Sequence, residues 1–323
     1  MIDNRARFGF IHGRAQTKCI LKPAGALASF AALSVFASLL LLTGGCSSAP
    51  KRPAEITAAR NACDAQIAMG DAASARGDFA NAELYFAEAW RLAVGADYEK
   101  GRVRALLSRG EARFAAGDIA RAQTDRQQAY AEAAAGGYPA LAAAAQASIA
   151  RGNLGEGRAD VSTENRAARA LEAQTATREA LPLLGGEPLL KASVLRTAAL
   201  AEKDLGNFAE AEKHLLEAAG IHEKGLFLED SGYDWFLLAS VRSKAGMYDR
   251  ALEALDRAIE FDRKAEHSAG LGMDWLARGT VFEKKGERDA AAAAYRRSAE
   301  IFAAAYLKEN ERAARAALEK MSQ

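Results

Sequence analysis

One short phrase recurs along this chain at a fixed spacing: glycine, a polar residue, an apolar residue, two variable residues, then alanine. It stands at Gly77-Asp78-Phe79 with Ala82, Gly117-Asp118-Ile119 with Ala122, and Gly206-Asn207-Phe208 with Ala211. It returns at Gly246-Met247-Tyr248 with Ala251 and at Gly286-Glu287-Arg288 with Ala291, where Met247 and Arg288 depart from the pattern. Gly77 and Gly117 are 40 residues apart, as are Gly206 and Gly246, and Gly246 and Gly286. The gap of 89 residues from Gly117 to Gly206 leaves room for one irregular repeat, with its turn expected at Gly152-Asn153-Leu154.

The context repeats with the phrase. Nine residues after each glycine stand Phe86, Arg126, Leu215, Leu255 and Tyr295; twelve after it stand Ala89, Ala129, Ala218, Ala258 and Ser298. Eleven before it stand Gln66, Leu106, Leu195, Trp235 and Trp275, a recurrence that assigns both tryptophans to packing. Glycine ends a helix in the left-handed conformation that other residues adopt only at a cost. The alanine five residues after it lets a second, antiparallel helix approach closely, and apolar residues at i, i+4 and i+7 line one face. Such a hairpin cannot bury its own core and has to stack on its neighbours. Composition agrees: half the residues are apolar, only 7% are aromatic and six are proline, which favours helices in close contact.

Trp235, Leu238, Ala239, Gly246, Tyr248, Ala251, Leu255 and Ala258 resemble the signature of the tetratricopeptide repeat, and Trp275, Gly279, Phe282, Gly286, Ala291 and Tyr295 follow it closely. The resemblance covers about 63–302, with a period of 40 in place of the family's 34. It implies an all-α, right-handed α-solenoid of hairpins whose concave face, lined by the first helix of each hairpin, binds peptides or helices of partner proteins. Hairpins are expected near 55–96, 101–134, 138–184, 188–224, 232–267 and 272–303, the third irregular. Gly185-Gly186-Glu187-Pro188 and Asp230-Ser231-Gly232 read as breaks, and 304–323 reads as a capping helix that packs through Ala314, Ala317, Leu318 and Met321.

The first 45 residues have another character. They are basic up to Lys22, uncharged from Ala24 to Leu42, and end in Leu39-Leu40-Leu41-Leu42 before Thr43-Gly44-Gly45-Cys46. That order is a secretory signal peptide. Thr43-Gly44-Gly45-Cys46 resembles the lipobox of bacterial lipoproteins, which implies cleavage before Cys46, lipidation of its thiol and membrane attachment. Residues 46–54 then form the lipidated tether and 55–303 the repeat domain. Ser47 implies sorting to the outer membrane, periplasmic side. The alternative is an uncleaved inner-membrane signal anchor, since nineteen uncharged residues just span a ~30 Å hydrocarbon core. Cys63 remains as a single free thiol, read as a small packed residue.

The sequence offers little chemistry. Removing the first 45 residues changes 43 basic and 42 acidic residues to 38 and 41, a near-neutral body with no footprint for nucleic acid. It holds no phosphate loop, no nucleophile elbow and no metal-ligand spacing among His214, His222 and His267, so no enzyme activity, cofactor, metal or small-molecule substrate is expected. The expected function is a periplasm-facing adaptor for other cell-envelope proteins. A signal-anchored accessory of secretion or transport is the alternative, and a peptidoglycan-acting enzyme or its regulator the third reading. By the resemblance, the groove of the last repeats places Tyr233, Phe236, Ser240, Lys244, Leu276 and Thr280 together as the protein-binding site.

Overall fold

The computed structural model describes residues 57–154 and 163–321; the signal segment, Cys46 and the tether lie outside the described residues. Among the described residues there are thirteen α-helices and no strand. They run α1 (Ala58–Ala75), α2 (Phe79–Gly95), α3 (Glu99–Ala115), α4 (Ile119–Ala135), α5 (Pro139–Leu154), α6 (Thr163–Ala180), α7 (Pro188–Leu205), α8 (Phe208–Lys224), α9 (Leu228–Lys244), α10 (Tyr248–Lys264), α11 (Ser268–Lys285), α12 (Arg288–Ala304) and α13 (Lys308–Met321). Consecutive helices pack as antiparallel pairs, giving an all-α solenoid of six hairpins closed by α13. No helix among the described residues is long and apolar enough to cross a membrane.

The five phrase glycines all sit at φ between +76° and +84°, between the first and second helix of a hairpin. Each closes its helix with a paired bond: Gly246 N–H donates to the Ser243 carbonyl at 3.2 Å, and Met247 N–H to the Arg242 carbonyl at 2.9 Å. This Schellman pairing satisfies carbonyls that a helix end leaves open. The turns between hairpins have the same geometry, built on other residues. Asp97, Gly137, Leu226, Glu266 and Tyr306 occupy the left-handed position there, and Tyr306 N–H and Leu307 N–H donate to Ala303 and Phe302. The chain is therefore a repeat of 20 residues used twice per hairpin, mostly a helix of 17 and a turn of three. Among the turns between hairpins, only the one at Gly137 carries glycine at the left-handed position.

The residues nine and twelve after each glycine are all buried, including Arg126. Small residues face them. A Cβ on Gly70 would lie 2.5 Å from the Phe86 ring, one on Gly110 3.3 Å from Arg126 Cγ, and one on Gly279 2.5 Å from the Tyr295 ring. Where the large partner is only Leu215 or Leu255, the facing register carries Ala199 or Ala239. The core is strung through these interfaces: one apolar strip joins α5 to α11, and smaller clusters serve α1 to α5 and the two ends. Ala314 of α13 is buried against Phe302 and Ala299, and Ala317, Leu318 and Met321 are half-buried beside it.

Two expected breaks are helical. Gly152 lies inside α5, where a Cβ would meet Arg126 Nη1 at 2.5 Å, so this glycine makes room for a buried side chain and does not turn the chain. Ser231 and Gly232 lie in the first turns of α9, and Gly232 is small because the Asp262 carboxylate fills its place. The break before α9 is at Gly225-Leu226-Phe227. The break before α7 is where it was expected: a 3-10 turn at Leu181–Leu183 leads to Pro188 at the start of the helix.

Gly246→Val forces a β-branched residue into positive φ and should destabilise the repeat domain by about 1–3 kcal/mol, read by thermal or urea unfolding. Equal stability of the variant would show that the turn does not carry that conformation in solution.

Candidate functional site

The first helices α1, α3, α5, α7, α9 and α11 form one row, and their shared face is where polar and aromatic groups gather. On α9, Tyr233 and Phe236 stack with ring centroids 6.2 Å apart, and the Arg196 guanidinium of α7 lies 5.1 Å above Tyr233. Tyr233 is exposed. Phe236 is half-buried, its inner edge against the strip that contains Leu200 and Leu237. Ser240 is half-buried one turn on, and Lys244 is exposed with its Nζ 3.1 Å from Asp204 of α7. On α11, Leu276 is half-buried against the cluster of Phe302 and Ala314. Thr280 is exposed; its hydroxyl donates to the Leu276 carbonyl at 3.1 Å and accepts a long bond from Tyr295. Tyr233, Phe236, Ser240 and Lys244 thus lie along one helix, with Leu276 and Thr280 on the next first helix of the row.

Other residues at groove registers are used internally. Arg196 is buried in a network: it donates to Asp234 at 2.5 Å and to Asp230 at 2.9 Å, while His222 Nδ1 sits 2.6 Å from the second Asp234 oxygen. Burial opposes the Arg196 cation, but Asp234 and Asp230 outweigh it and raise its pKa. Glu111 likewise bridges Arg126, Arg151 and Ser148; burial works against its charge, and the two guanidiniums still hold its pKa below the ordinary value. Arg109 and Arg113 converge on the buried Asp125. These clusters fix how adjacent hairpins sit on one another.

Two acidic sites had no motif to announce them. Asp71 on α1 is open to water but walled by protein. Burial raises its pKa to about 7, and Asp230 and Glu111 add to the rise against a lowering bond from Ser108. The second site is the buried pair Asp262 and Asp274. Asp274 repeats Asp234 forty residues later, and Asp262 stands where the earlier repeat has His222, but Phe236 stands where that repeat has Arg196. Burial, then the neighbouring Asp262 carboxylate, push the Asp274 pKa far up, and one Asp274 oxygen has no protein partner. His267 Nδ1 lies 3.2 Å from Asp262; burial disfavours its charge, but that carboxylate raises its pKa.

Among the described residues no group of three or more His, Cys, Asp or Glu is arranged to hold a metal ion. A groove of about 820 Å³, lined by Tyr130, Ile149, Leu171 and Leu183 among others, opens at α4, α5 and α6 and shares none of the expected binding residues.

The family model of the tetratricopeptide repeat matches residues 235–264, from Trp235 in α9 to the end of α10, so the chain carries that repeat. No curated protein matches it. Solved structures of similar fold include a Rap protein complexed with competence and sporulation factor, at 19% identity and TM-score 0.48, covering 80% of this chain and 73% of that one. BtubC from P. vanneervenii matches at 19% and 0.49, covering 75% and 92%. A tetratricopeptide repeat protein from Parabacteroides merdae matches at 14% and 0.36, covering 81% and 100%. At such identities the likeness concerns the arrangement of helical hairpins, not what any of these proteins binds.

Asp274 has a folded-state pKa above its ordinary 3.8. Its protonated form therefore supports the fold fully below that value, and the support is lost as pH rises through the folded-state pKa. Asp274→Asn should remove this fall and raise stability at pH 8 by about 1 kcal/mol or more, since it leaves no charge to bury. A wild-type unfolding free energy that is flat from pH 4 to 9, or that rises across this range, would contradict the assignment.

Proposed function

We propose that the protein is a lipid-anchored adaptor of the bacterial cell envelope that holds an extended or helical segment of a partner protein against its row of first helices. The observation that carries this reading is the stacked pair Tyr233 and Phe236, an aromatic surface left accessible on a face where neighbouring charges are tied into ion pairs. Aromatic anchors ringed by satisfied polar groups are the usual make-up of a protein-binding hot spot.

Attachment through Cys46, on the periplasmic side of the outer membrane, rests on the lipobox and the apolar run before it. The matched repeat, an interaction unit in general, supports a scaffold in preference to an enzyme.

Tyr233→Ala should cost the fold about 1–2 kcal/mol, the stacking on Phe236 and the Arg196 contact that it gives up, leaving the chain folded, yet cost about 2 kcal/mol or more of partner binding. The partner is first captured in cells by a photo-crosslinker at position 240. Undiminished capture by a normally folded variant would remove this surface. Cys46→Ala should abolish labelling by a fatty-acid probe; unchanged labelling would refute the anchor.

A further inference from the structure

Because the helices alternate in direction, the two kinds of turn lie on opposite edges of the row. The five phrase glycines and the residues after them (Asp78, Asp118, Asn207, Met247, Glu287) form one edge. The start of α1 and all turns between hairpins form the other.

This second edge carries exposed apolar side chains, of which Phe227 packs in part over Gly225 and against His222 while Leu226 and Tyr306 project into solvent. Leu226 is 79% exposed and Tyr306 87%, and Phe227 is exposed beside Leu226. Leu226 and Tyr306 both hold φ of +60°, a conformation that glycine takes freely and bulky residues take under strain. The same register holds Gly137 in one turn and acids in two others, so nothing in the turn itself asks for leucine or tyrosine. Bulky residues held in such a conformation without a packing partner point to a use outside the fold. Exposed lysines stand two residues from each, Lys224 before Leu226 and Lys308 after Tyr306. Apolar tips flanked by lysines whose stems reach outward suit the boundary between lipid headgroups and acyl chains.

The chain enters the fold at this edge. Cys46 stands eleven residues before Thr57, a reach of at most roughly 40 Å when extended. The α2 end that packs beside the start of α1 exposes Trp90 and Val94. At the corresponding register of α4, α8, α10 and α12, Val94 is replaced by Ala134, Glu223, Arg263 and Ala303.

We infer that the edge bearing Trp90, Val94, Leu226, Phe227 and Tyr306 rests on the lipid bilayer, so that the helix row stands on the membrane with its glycine turns pointing away from it. This rests on the anchor at Cys46 proposed above. The anchor confines the chain to the surface, and the apolar turns choose which edge meets it, leaving the face of Tyr233 and Phe236 turned sideways to partners in the aqueous space.

The test uses the full-length acylated protein in vesicles of phosphatidylethanolamine and phosphatidylglycerol. An environment-sensitive dye is placed singly at Leu226→Cys, Tyr306→Cys, Met247→Cys and Glu287→Cys. Cys63 does not compete for the dye, being buried with its thiol pushed up to about 11 by burial and the nearby Asp64. Dyes at 226 and 306 should shift to the blue and be quenched by nitroxide-bearing lipid about twofold or more above those at 247 and 287. Leu226→Gly with Tyr306→Gly keeps the fold, since glycine suits the turn, and should lose the vesicle protection of a dye at Val94→Cys.

Equal quenching at all four positions, in protein that floats with vesicles and carries the fatty-acid label, would overturn the orientation while keeping the anchor. Absence of both label and flotation would remove the anchor and the orientation with it. Shielding at 226 and 306 that appears in detergent alone and grows with protein concentration would assign the edge to a second copy of the chain, against the proposal.

Discussion

Everything in this solenoid depends on a match of volume between the two helices of a hairpin. A chain this rich in alanine has little side-chain bulk per helix, so its helices bury apolar surface only by approaching closely. Close approach requires that each large side chain meet a small one. Phe86 meets Gly70, Tyr295 meets Gly279, and Phe302 meets Gly272, with a Cβ on any of these glycines falling within 2.5 Å of the ring. Interiors packed this densely tolerate neither voids nor added methyl groups without cost. The same contact explains polar exceptions. Arg126 is accepted in the core because Gly110 and Gly152 leave it room and Glu111 takes its charge, with Phe114 under the guanidinium at 4.8 Å. Asp262 is accepted because Gly232 and Gly270 stand aside.

That constraint also decides how much of the fold was legible. The turn within five of the six hairpins was readable because glycine is placed there for its backbone, and these glycines, mostly 40 residues apart, reveal the period. Four of the turns between hairpins were harder to read, since Asp97, Leu226, Glu266 and Tyr306 take the same left-handed conformation without the residue that advertises it. Glycines placed for space look identical in sequence to glycines placed for φ. Gly152 and Gly232 were misread as breaks for that reason, and only the position of Arg126 or Asp262 tells the two uses apart. The weakest register of the pattern, Arg126, is fully buried, because volume and pairing decide burial more than residue class.

Register assigned Tyr233, Phe236, Ser240 and Lys244 to α9 and Leu276 and Thr280 to α11, and Leu276 packs towards Phe302 and Ala314 at the C-terminal end. What register could not supply was which polar groups remain available. Arg196 is committed to Asp234 and Asp230, and Lys244 to Asp204, through contacts between residues 34 to 40 apart in sequence. The buried acids Asp262 and Asp274 were hidden too, being the counterparts of a satisfied His222 and Asp234 one repeat earlier.

The volume match is tested most directly by a double-mutant cycle on Gly70→Ala and Phe86→Leu, measured by urea unfolding of the repeat domain. The double variant recreates the Ala and Leu pair found at 199 with 215 and at 239 with 255. Gly70→Ala should destabilise the wild type, since overpacking costs about 1–3 kcal/mol, more than the ~1 kcal/mol that alanine adds to a helix. In the Phe86→Leu background the same change should stabilise, giving a coupling of about 1 kcal/mol or more. Effects of Gly70→Ala that agree in the two backgrounds within about 0.5 kcal/mol would contradict the account.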